Sequence, residues 1–383
     1  MTSPDQTSSC RVLAFGAYLK NRACLIDGGR THWSDLHGDL GDPQACQLLA
    51  ESIKKLTLSA SGSLDLLVHD LHPDFYSTVL ATRLAQTLKV PSVAVQHHHA
   101  HIASVMAEHN LQGPVLGIAL DGAGWGDDQT IWGGELLLVE GTNAHRIGHL
   151  RQLALPGGDL AATQPWRMVA SALNLLGRGG EIGARLSPSL GAQKVESVKL
   201  MLDNCINAPL TSSAGRWFDV AAGLLGLCET QKFEAEAAQL LEVAAKRWLD
   251  IHPNTCSTGL AFVTNEMILD LGNVVEQLLD VPESLIDQAA ARFHLDLVDG
   301  IVKWVIKALD IKRNINRICL SGGCFYNLIL KERLKVELEA LNLNVFISGA
   351  FGGDCGDAGL ALGQAWIGTE FLKEFQKETL VCA

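Results

Sequence analysis

Val115-Leu-Gly-Ile-Ala-Leu120, Asp121-Gly-Ala-Gly-Trp-Gly-Asp-Asp128 and Ile131-Trp-Gly-Gly-Glu-Leu-Leu-Leu-Val139 follow one another in this 383-residue chain. Two apolar runs around a Gly- and Asp-rich turn read as a β-hairpin. The N-terminus has the same plan. Arg11-Val-Leu-Ala-Phe15 leads through a turn from Gly16 to Asn21, then Ala23-Cys-Leu-Ile26 and Asp27-Gly-Gly29. Buried strands are expected after each hairpin, at Leu64–Val68 and Val93–Val95 in the first half and at Ile318–Leu320 and Val345–Ile347 in the second. The chain therefore reads as α/β with two similarly built halves.

Residues 160–310 are mostly helical in pattern. Phe218–Cys228 and Phe233–Asp250 carry apolar residues at helical spacing, and Ser212-Ser213-Ala214-Gly215-Arg216 provides a capped start for the first. The expected division is a first lobe at 10–114 and a second at 115–383, with a helical insertion at about 160–310. No low-complexity linker separates the lobes, so they should pack closely around a ligand cleft.

Composition narrows the partners. A net charge of −12 argues against a broad nucleic-acid surface. No apolar run has membrane-spanning length, and polar residues follow Met1, so a cytoplasmic protein with no membrane contact is expected. The ten cysteines form no C-x-x-C pair and read as reduced, mostly buried thiols. Cys355 stands apart because its loop is rich in Gly and Asp.

Gln96-His97-His98-His99-Ala100-His101 is the densest chemical signal. On a helix, His97 and His101 lie one turn apart on one face, as two imidazoles on one metal ion require. The competing reading is a polar helix start with solvated histidines. His98, His99 and His109 are expected to make outer contacts or face solvent. Asp121 ends an apolar strand, where its carboxylate could reach a cation shared with phosphate. The glycines of that turn could cradle an anion or simply close a hairpin. Ser321-Gly322-Gly323 reads equally as an anion-binding helix start and as a close strand-to-helix crossing. Asp357 could cap the last helix or join the histidines. Two imidazoles with carboxylates suit Zn²⁺ or Fe²⁺ better than Mg²⁺.

Together these segments resemble the HypF family of hydrogenase-maturation carbamoyltransferases. The resemblance runs through Leu19-Lys20-Asn21, His37-Gly38-Asp39-Leu40, His69-Asp70-Leu71-His72-Pro73-Asp74, the histidine motif, Asp121 to Asp128 and Trp132-Gly133-Gly134-Glu135. It continues through Pro156-Gly157-Gly158-Asp159, Pro165-Trp166-Arg167-Met168, Ser212 to Arg216, Phe218-Asp219, Leu320 to Gly323 with Asn327, and Asp357 to Gln364.

The resemblance implies a duplicated actin/hexokinase/Hsp70-like fold, in the version of the tRNA-modifying TsaD enzymes. It implies a carbamoyl group, taken from carbamoyl phosphate with ATP as carbamoyl-adenylate and passed to the C-terminal cysteine of HypE for cyanide-ligand synthesis. It makes His97, His101, Asp121 and Asp357 ligands of a divalent metal, and Lys20, Asn21 and Asp121 the catalytic set. It places Gly122, Gly124, Gly215, Asp219, Gly322, Gly323 and Asn327 at the ATP or AMP moiety. HypE, carbamoyl phosphate and ATP are then the partners, and a dimer is allowed.

The chain departs from full-length HypF, which also carries acylphosphatase, zinc-binding and adenylate-forming domains. A naturally short form, a partner supplying carbamoyl-adenylate, and direct use of carbamoyl phosphate all stay open. Phe325-Tyr326 and Asp354-Cys355-Gly356 also differ from the family pattern. Competing functions are O-carbamoyl transfer to a small-molecule hydroxyl, tRNA threonylcarbamoylation, which the charge and loops disfavour, and a non-catalytic nucleotide-binding maturation partner.

Overall fold

The computed structural model describes residues 10–312, 314–348 and 356–381. Strands β1 (Arg11–Ala14), β2 (Cys24–Asp27) and β3 (Arg30–Trp33) form an antiparallel meander. Helix α1 (Pro43–Ser59) leads to β4 (Leu66–Asp70), and α2 (Tyr76–Leu88) leads to β5 (Ser92–Val95). β4 lies parallel to β1 and β5 parallel to β4, so the sheet order is β3-β2-β1-β4-β5. Helix α3 (His97–Glu108) follows directly.

The second half repeats this plan. β6 (Val115–Trp125), β7 (Ile131–Glu140) and β8 (Asn143–Leu150) form another antiparallel meander. Next come β9 (Leu153–Ala154), α4 (Asp159–Thr163), α5 (Pro165–Leu175), α6 (Ile182–Leu190), α7 (Ala192–Asp203) and β10 (Leu210–Thr211). They are followed by α8 (Ala214–Leu224), α9 (Glu236–Ile251), β11 (Phe262–Val263), β12 (Ile268–Asp270), α10 (Gly272–Glu276) and α11 (Ile286–Ile311). The chain then forms β13 (Arg317–Ser321), α12 (Leu328–Ala340), β14 (Asn344–Ile347) and α13 (Leu360–Val381). The central order β8-β7-β6-β13-β14, with β13 and β14 parallel to β6, duplicates the first sheet. This repeated order is that of the actin/hexokinase/Hsp70-type fold, with a mostly helical insertion between β8 and β13.

The halves exchange helices. Ile102, Val105 and Met106 of α3 are fully buried against the second sheet, beside Val115, Ala119, Leu137 and Val139. On its other side, Ala100 and Ala103 pack with Leu360, Ala361 and Ala365 of α13. That helix in turn covers Val12, Ala14, Leu66 and Val68 of the first sheet. The 115–383 span thus sends its last helix onto the first sheet, an exchange that contiguous residue ranges do not express. Because α3 lies between α13 and the second sheet, every residue from His97 to Met106 is buried. A helix apolar or small on most sides belongs in such a position. Burial of each large aliphatic residue here contributes about 1.5–3 kcal/mol.

Several local readings differ from the structure. β6 does not stop at Asp121: it continues to Trp125, with an irregular register between Leu120 and Gly124. Helix α8 ends at Leu224 rather than Cys228, and α9 begins at Glu236, leaving Phe233 exposed in the preceding loop. β3 and β8 are additional strands, polar enough to break the apolar pattern. Burial pushes the Cys319 thiol up to about 12, as befits an inert packed cysteine. Cys355 and Asp354 lie outside the described residues. Among the described residues, no helix is long and apolar enough to cross a membrane.

Candidate metal centre

The parallel register between β4 and β5 sets Asp70 opposite Val95, and the chain enters α3 two residues later. Gln96 caps that helix: its side-chain oxygen accepts from the His99 amide at 2.9 Å, while its amide nitrogen donates to the Trp125 carbonyl at 2.9 Å. One side chain thereby starts the helix and ties it to β6. The irregular stretch of β6 then aims Asp121 at the helix.

Four side chains converge. His97 Nε2 lies 3.3 Å from Asp121 Oδ2 and 3.7 Å from Asp357 Oδ1. His101 Nε2 lies 3.2 Å from Asp121 Oδ2 and 3.5 Å from Asp357 Oδ1. One ligand atom from each residue falls within 4.8 Å of all the others. Ligand bonds of about 2.0–2.2 Å to a tetrahedral ion would space neighbouring donors about 3.3–3.6 Å apart. The two imidazole nitrogens and two carboxylate oxygens fit a divalent cation by type and by spacing.

The electrostatics agree. Burial disfavours the imidazolium at His97, but Asp121, Asp357 and Asp70 hold its pKa well above the ordinary histidine value. Burial is likewise outweighed at His101, which Asp121 and Asp357 raise. Burial would raise Asp121 and Asp357, yet hydrogen bonds from both histidines keep the two carboxyls low. This arrangement draws positive charge to one buried point. Protons supply it without a metal, and a divalent cation can replace them.

The other histidines differ sharply. His98 is buried and held well below its ordinary pKa by burial and by the charge of His97, and burial pulls His99 down to about 4. His98 Nδ1 meets the Gln96 amide at 3.1 Å, and His109 Nε2 donates to the Ile347 carbonyl at 3.0 Å.

The glycines divide into two groups. Gly122 follows Asp121 and donates to its Oδ1 at 2.8 Å, and Gly323 donates to the same oxygen at 3.1 Å. A Cβ on Gly215 would lie 3.3 Å from the Gly122 Cα, so these three glycines gather around Asp121. Gly322 has φ +105°, and a Cβ there would meet the Leu120 carbonyl oxygen. Gly124 faces the other way, against His97 and His98, where a side chain would collide with the histidine helix.

Three further residues face inward rather than toward the centre. Asn21 is fully buried: its amide donates to Phe15 and Ala17 carbonyls and its oxygen accepts from His37 Nδ1 at 2.8 Å. Asp219 binds Arg216 Nε at 2.6 Å and the Gln231 amide at 3.3 Å. Burial raises its pKa to about 6. Asn327 caps α12 by accepting from Leu330, and its amide donates to His294 Nε2 at 2.8 Å. Glu242 accepts from the Leu328 amide at 2.7 Å, so protein groups already occupy the start of α12. Lys20 reaches away from the first sheet to Glu234 at 3.2 Å and lies 5.7 Å above the Tyr326 ring.

Sequence reasoning left Asp70, Ser321 and Arg146 without roles. Asp70 stands behind His97, and Ser321 Oγ lies 3.4 Å from His101 Nδ1. Arg146 joins buried Glu135, Asp128 and Ser212, with its guanidinium 4.1 Å from the Trp132 ring centroid. Ser213, next in the chain, donates to the Gly122 carbonyl at 2.6 Å. Asp70 lies two residues past the strand expected at Leu64–Val68 and ends β4 only in the structure, and Arg146 needed the pairing of β8 with β7.

The chain is similar to known proteins over almost all of its length. A family model described as "Carbamoyltransferase, Kae1-like Domain, second subdomain" matches residues 117–364, and one described as "HypF Kae1-like domain" matches residues 7–108. A carbamoyltransferase HypF homolog of Cupriavidus necator is 49% identical over 96% of this chain and 93% of its own length. Carbamoyltransferase HypF2 of the same organism is 43% identical over 93% of this chain but 46% of its own length. The crystal structure of T. kodakarensis HypF superposes with a TM-score of 0.84 at 29% identity, covering 96% of this chain and 48% of that one. A full-length HypF in phosphate- and nucleotide-bound form gives 0.82 at 29% identity, over 96% of this chain and 47% of that one. The chain spans most of one relative and about half of these longer ones, all of them named HypF, and it belongs to the carbamoyltransferase HypF family.

Proposed function

We propose that this chain transfers a carbamoyl group in [NiFe]-hydrogenase maturation, from carbamoyl-adenylate formed with ATP and carbamoyl phosphate to the C-terminal cysteine of HypE. The observation that carries this reading is the convergence of His97, His101, Asp121 and Asp357 within 4.8 Å, inside a chain of this family. The two lobes are taken as 10–114 and 115–383, and the acting protein as cytoplasmic.

A divalent ion such as Zn²⁺ or Fe²⁺, held by these four residues, would supply a Lewis acid for a phosphate or carbamoyl oxygen. The chain's own residues then do the positioning. Gly122, Gly215 and Gly323 present backbone without side chains around Asp121, where phosphate oxygens can approach closely. Asp121 Oδ1 accepts from the Gly122 and Gly323 amides, so one carboxylate orders two loops while its other oxygen faces the histidines. Lys20, paired with Glu234 at 3.2 Å, would release that partner to meet negative charge developing on the donor. Gly124, Asp219 and Asn327 support the site from within the fold. The acceptor thiol attacks as thiolate after losing its proton to solvent: a sulfur–carbon bond forms, the bond from carbamoyl carbon to phosphate oxygen breaks, and AMP leaves.

The test is to incubate the purified chain with ATP, carbamoyl phosphate and HypE, then weigh intact HypE. A gain of about 43 Da, one carbamoyl group in place of a thiol proton, is expected. A gain only after a separate adenylate-forming domain is added would restrict the chain to the transfer step. No gain in either case overturns the reading.

A further inference from the structure

Behind the four converging groups, the outer nitrogens of the two histidines are held differently. His97 Nδ1 donates to Asp70 Oδ2 at 2.8 Å, whereas His101 Nδ1 meets the Ser321 hydroxyl at the longer distance of 3.4 Å. Asp70 has no exposed surface. Its second oxygen, Oδ1, accepts from the His72 amide at 2.9 Å. Its carbonyl meets His69 Nδ1 at 2.8 Å and the Thr78 hydroxyl at 3.1 Å. The carboxylate is therefore held at both oxygens, and the backbone behind it is tied by two further hydrogen bonds.

The chain topology explains how it arrives there. Asp70 is the last residue of β4, and the parallel pairing with β5 places it beside Val95. The histidine helix starts at the next turn of the chain, and its first residue backs onto the Asp70 carboxylate. A carboxylate only accepts, so His97 Nδ1 carries a proton, and when the ring is neutral its Nε2 lone pair is the one left to face Asp121, His101 and Asp357. Carboxylate–histidine pairs of this geometry set ring orientation and basicity at metal sites.

We propose that Asp70 is a positioning residue for the metal centre, fixing the ring and tautomer of His97 so that Nε2 is presented as a ligand. This rests on the metal-centre reading above. Asp70 makes His97 the better-held ligand of the pair, and Ser321 plays the weaker equivalent part for His101.

The experiment titrates the metal-free full chain with Zn²⁺ against a chromogenic chelator, and separately records the visible ligand-field spectrum with Co²⁺. Asp70→Ala is expected to weaken Zn²⁺ affinity by about 10–100-fold and to shift the Co²⁺ spectrum. Asp70→Asn keeps an acceptor but loses the charge, so it should fall between Asp70→Ala and wild type. Ser321→Ala should weaken affinity less than Asp70→Ala. If Asp70→Ala fails to fold, the near-isosteric Asp70→Asn carries the comparison, with circular dichroism as the check on folding. Wild-type affinity and an unchanged Co²⁺ spectrum in the folded Asp70 variants would overturn the assignment. A wild-type chain that binds neither ion would overturn the metal-centre reading itself, and the role of Asp70 with it.

Discussion

A Cβ on Gly363 would stand 1.9 Å from the carbonyl oxygen of Ala100. Helix α13 therefore crosses α3 at a point where no side chain fits, and the atom in the way is backbone. Gly363 lies six residues beyond Asp357, and Ala100 one residue before His101, so this crossing sets the approach of the last carboxylate to the histidines. Gln364, next in α13, accepts from the Gly16 amide at 2.9 Å and anchors the helix to the first sheet.

Gly363→Ala should force the helices apart. Overpacking of this kind typically costs about 1–3 kcal/mol, although alanine favours a helix over glycine by about 1 kcal/mol. The steric cost should dominate because the backbone carbonyl cannot rotate away. Urea unfolding is expected to show a lower midpoint, and Zn²⁺ titration a weaker site. An unchanged midpoint with unchanged Zn²⁺ binding would mean that α13 slides without disturbing Asp357.

His101→Ala should remove Zn²⁺ binding and carbamoyl transfer together. It deletes a ligand that faces both Asp121 and Asp357, at 3.2 and 3.5 Å. Leaving buried Asp121 and half-buried Asp357 with one imidazole also brings their mutual repulsion forward. Full transfer activity in a folded His101→Ala chain would refute the catalytic use of the cluster.

The duplicated fold was legible because both halves open with apolar runs around Gly and Asp turns. The third strand of each meander was not. Arg30-Thr31-His32-Trp33 lies exposed at a sheet edge, and Asn143–Leu150 mixes polar with apolar residues, so neither shows a clean period of two. Burial of α3 on all sides was also hidden, since it depends on a helix more than 250 residues away. At the site, spacing four apart pairs His97 with His101 on any helix, and Asp121 ends an apolar run. For Asn21, Asp219 and Asn327, residue type shows the capacity to bind a ligand. Only the fold shows that His37, Arg216 and His294 already use it.

Lys20 and Glu234 test a different kind of contact. The pair is well exposed, with side-chain exposures of 39% and 56%, so its contribution to stability should stay below about 1 kcal/mol. Lys20→Ala is expected to leave the unfolding midpoint nearly unchanged while lowering carbamoyl transfer about tenfold or more, as loss of a positioned cation does. A large loss of stability with transfer intact would make Lys20 a structural latch instead.

His294 supplies a pH dependence separate from the metal cluster. It is fully buried, Nδ1 donates to the Ala290 carbonyl at 2.8 Å, and Nε2 accepts from Asn327. Burial pulls its pKa from 6.5 down to about 4. The folded state thus resists protonation that the unfolded chain accepts below pH 6.5. Its contribution is fully present above that pH and is lost progressively as pH falls toward 4. A shift of this size corresponds to about 3 kcal/mol at most. His294→Gln cannot titrate, and it keeps a polar group near Asn327. Stability curves for both proteins from pH 7 to pH 4 should therefore diverge, the wild type losing up to about 3 kcal/mol more than the variant. Because His97, His101 and Asp219 are common to both proteins, their titrations cancel in the difference. Parallel curves would show that His294 takes up its proton without leaving the fold.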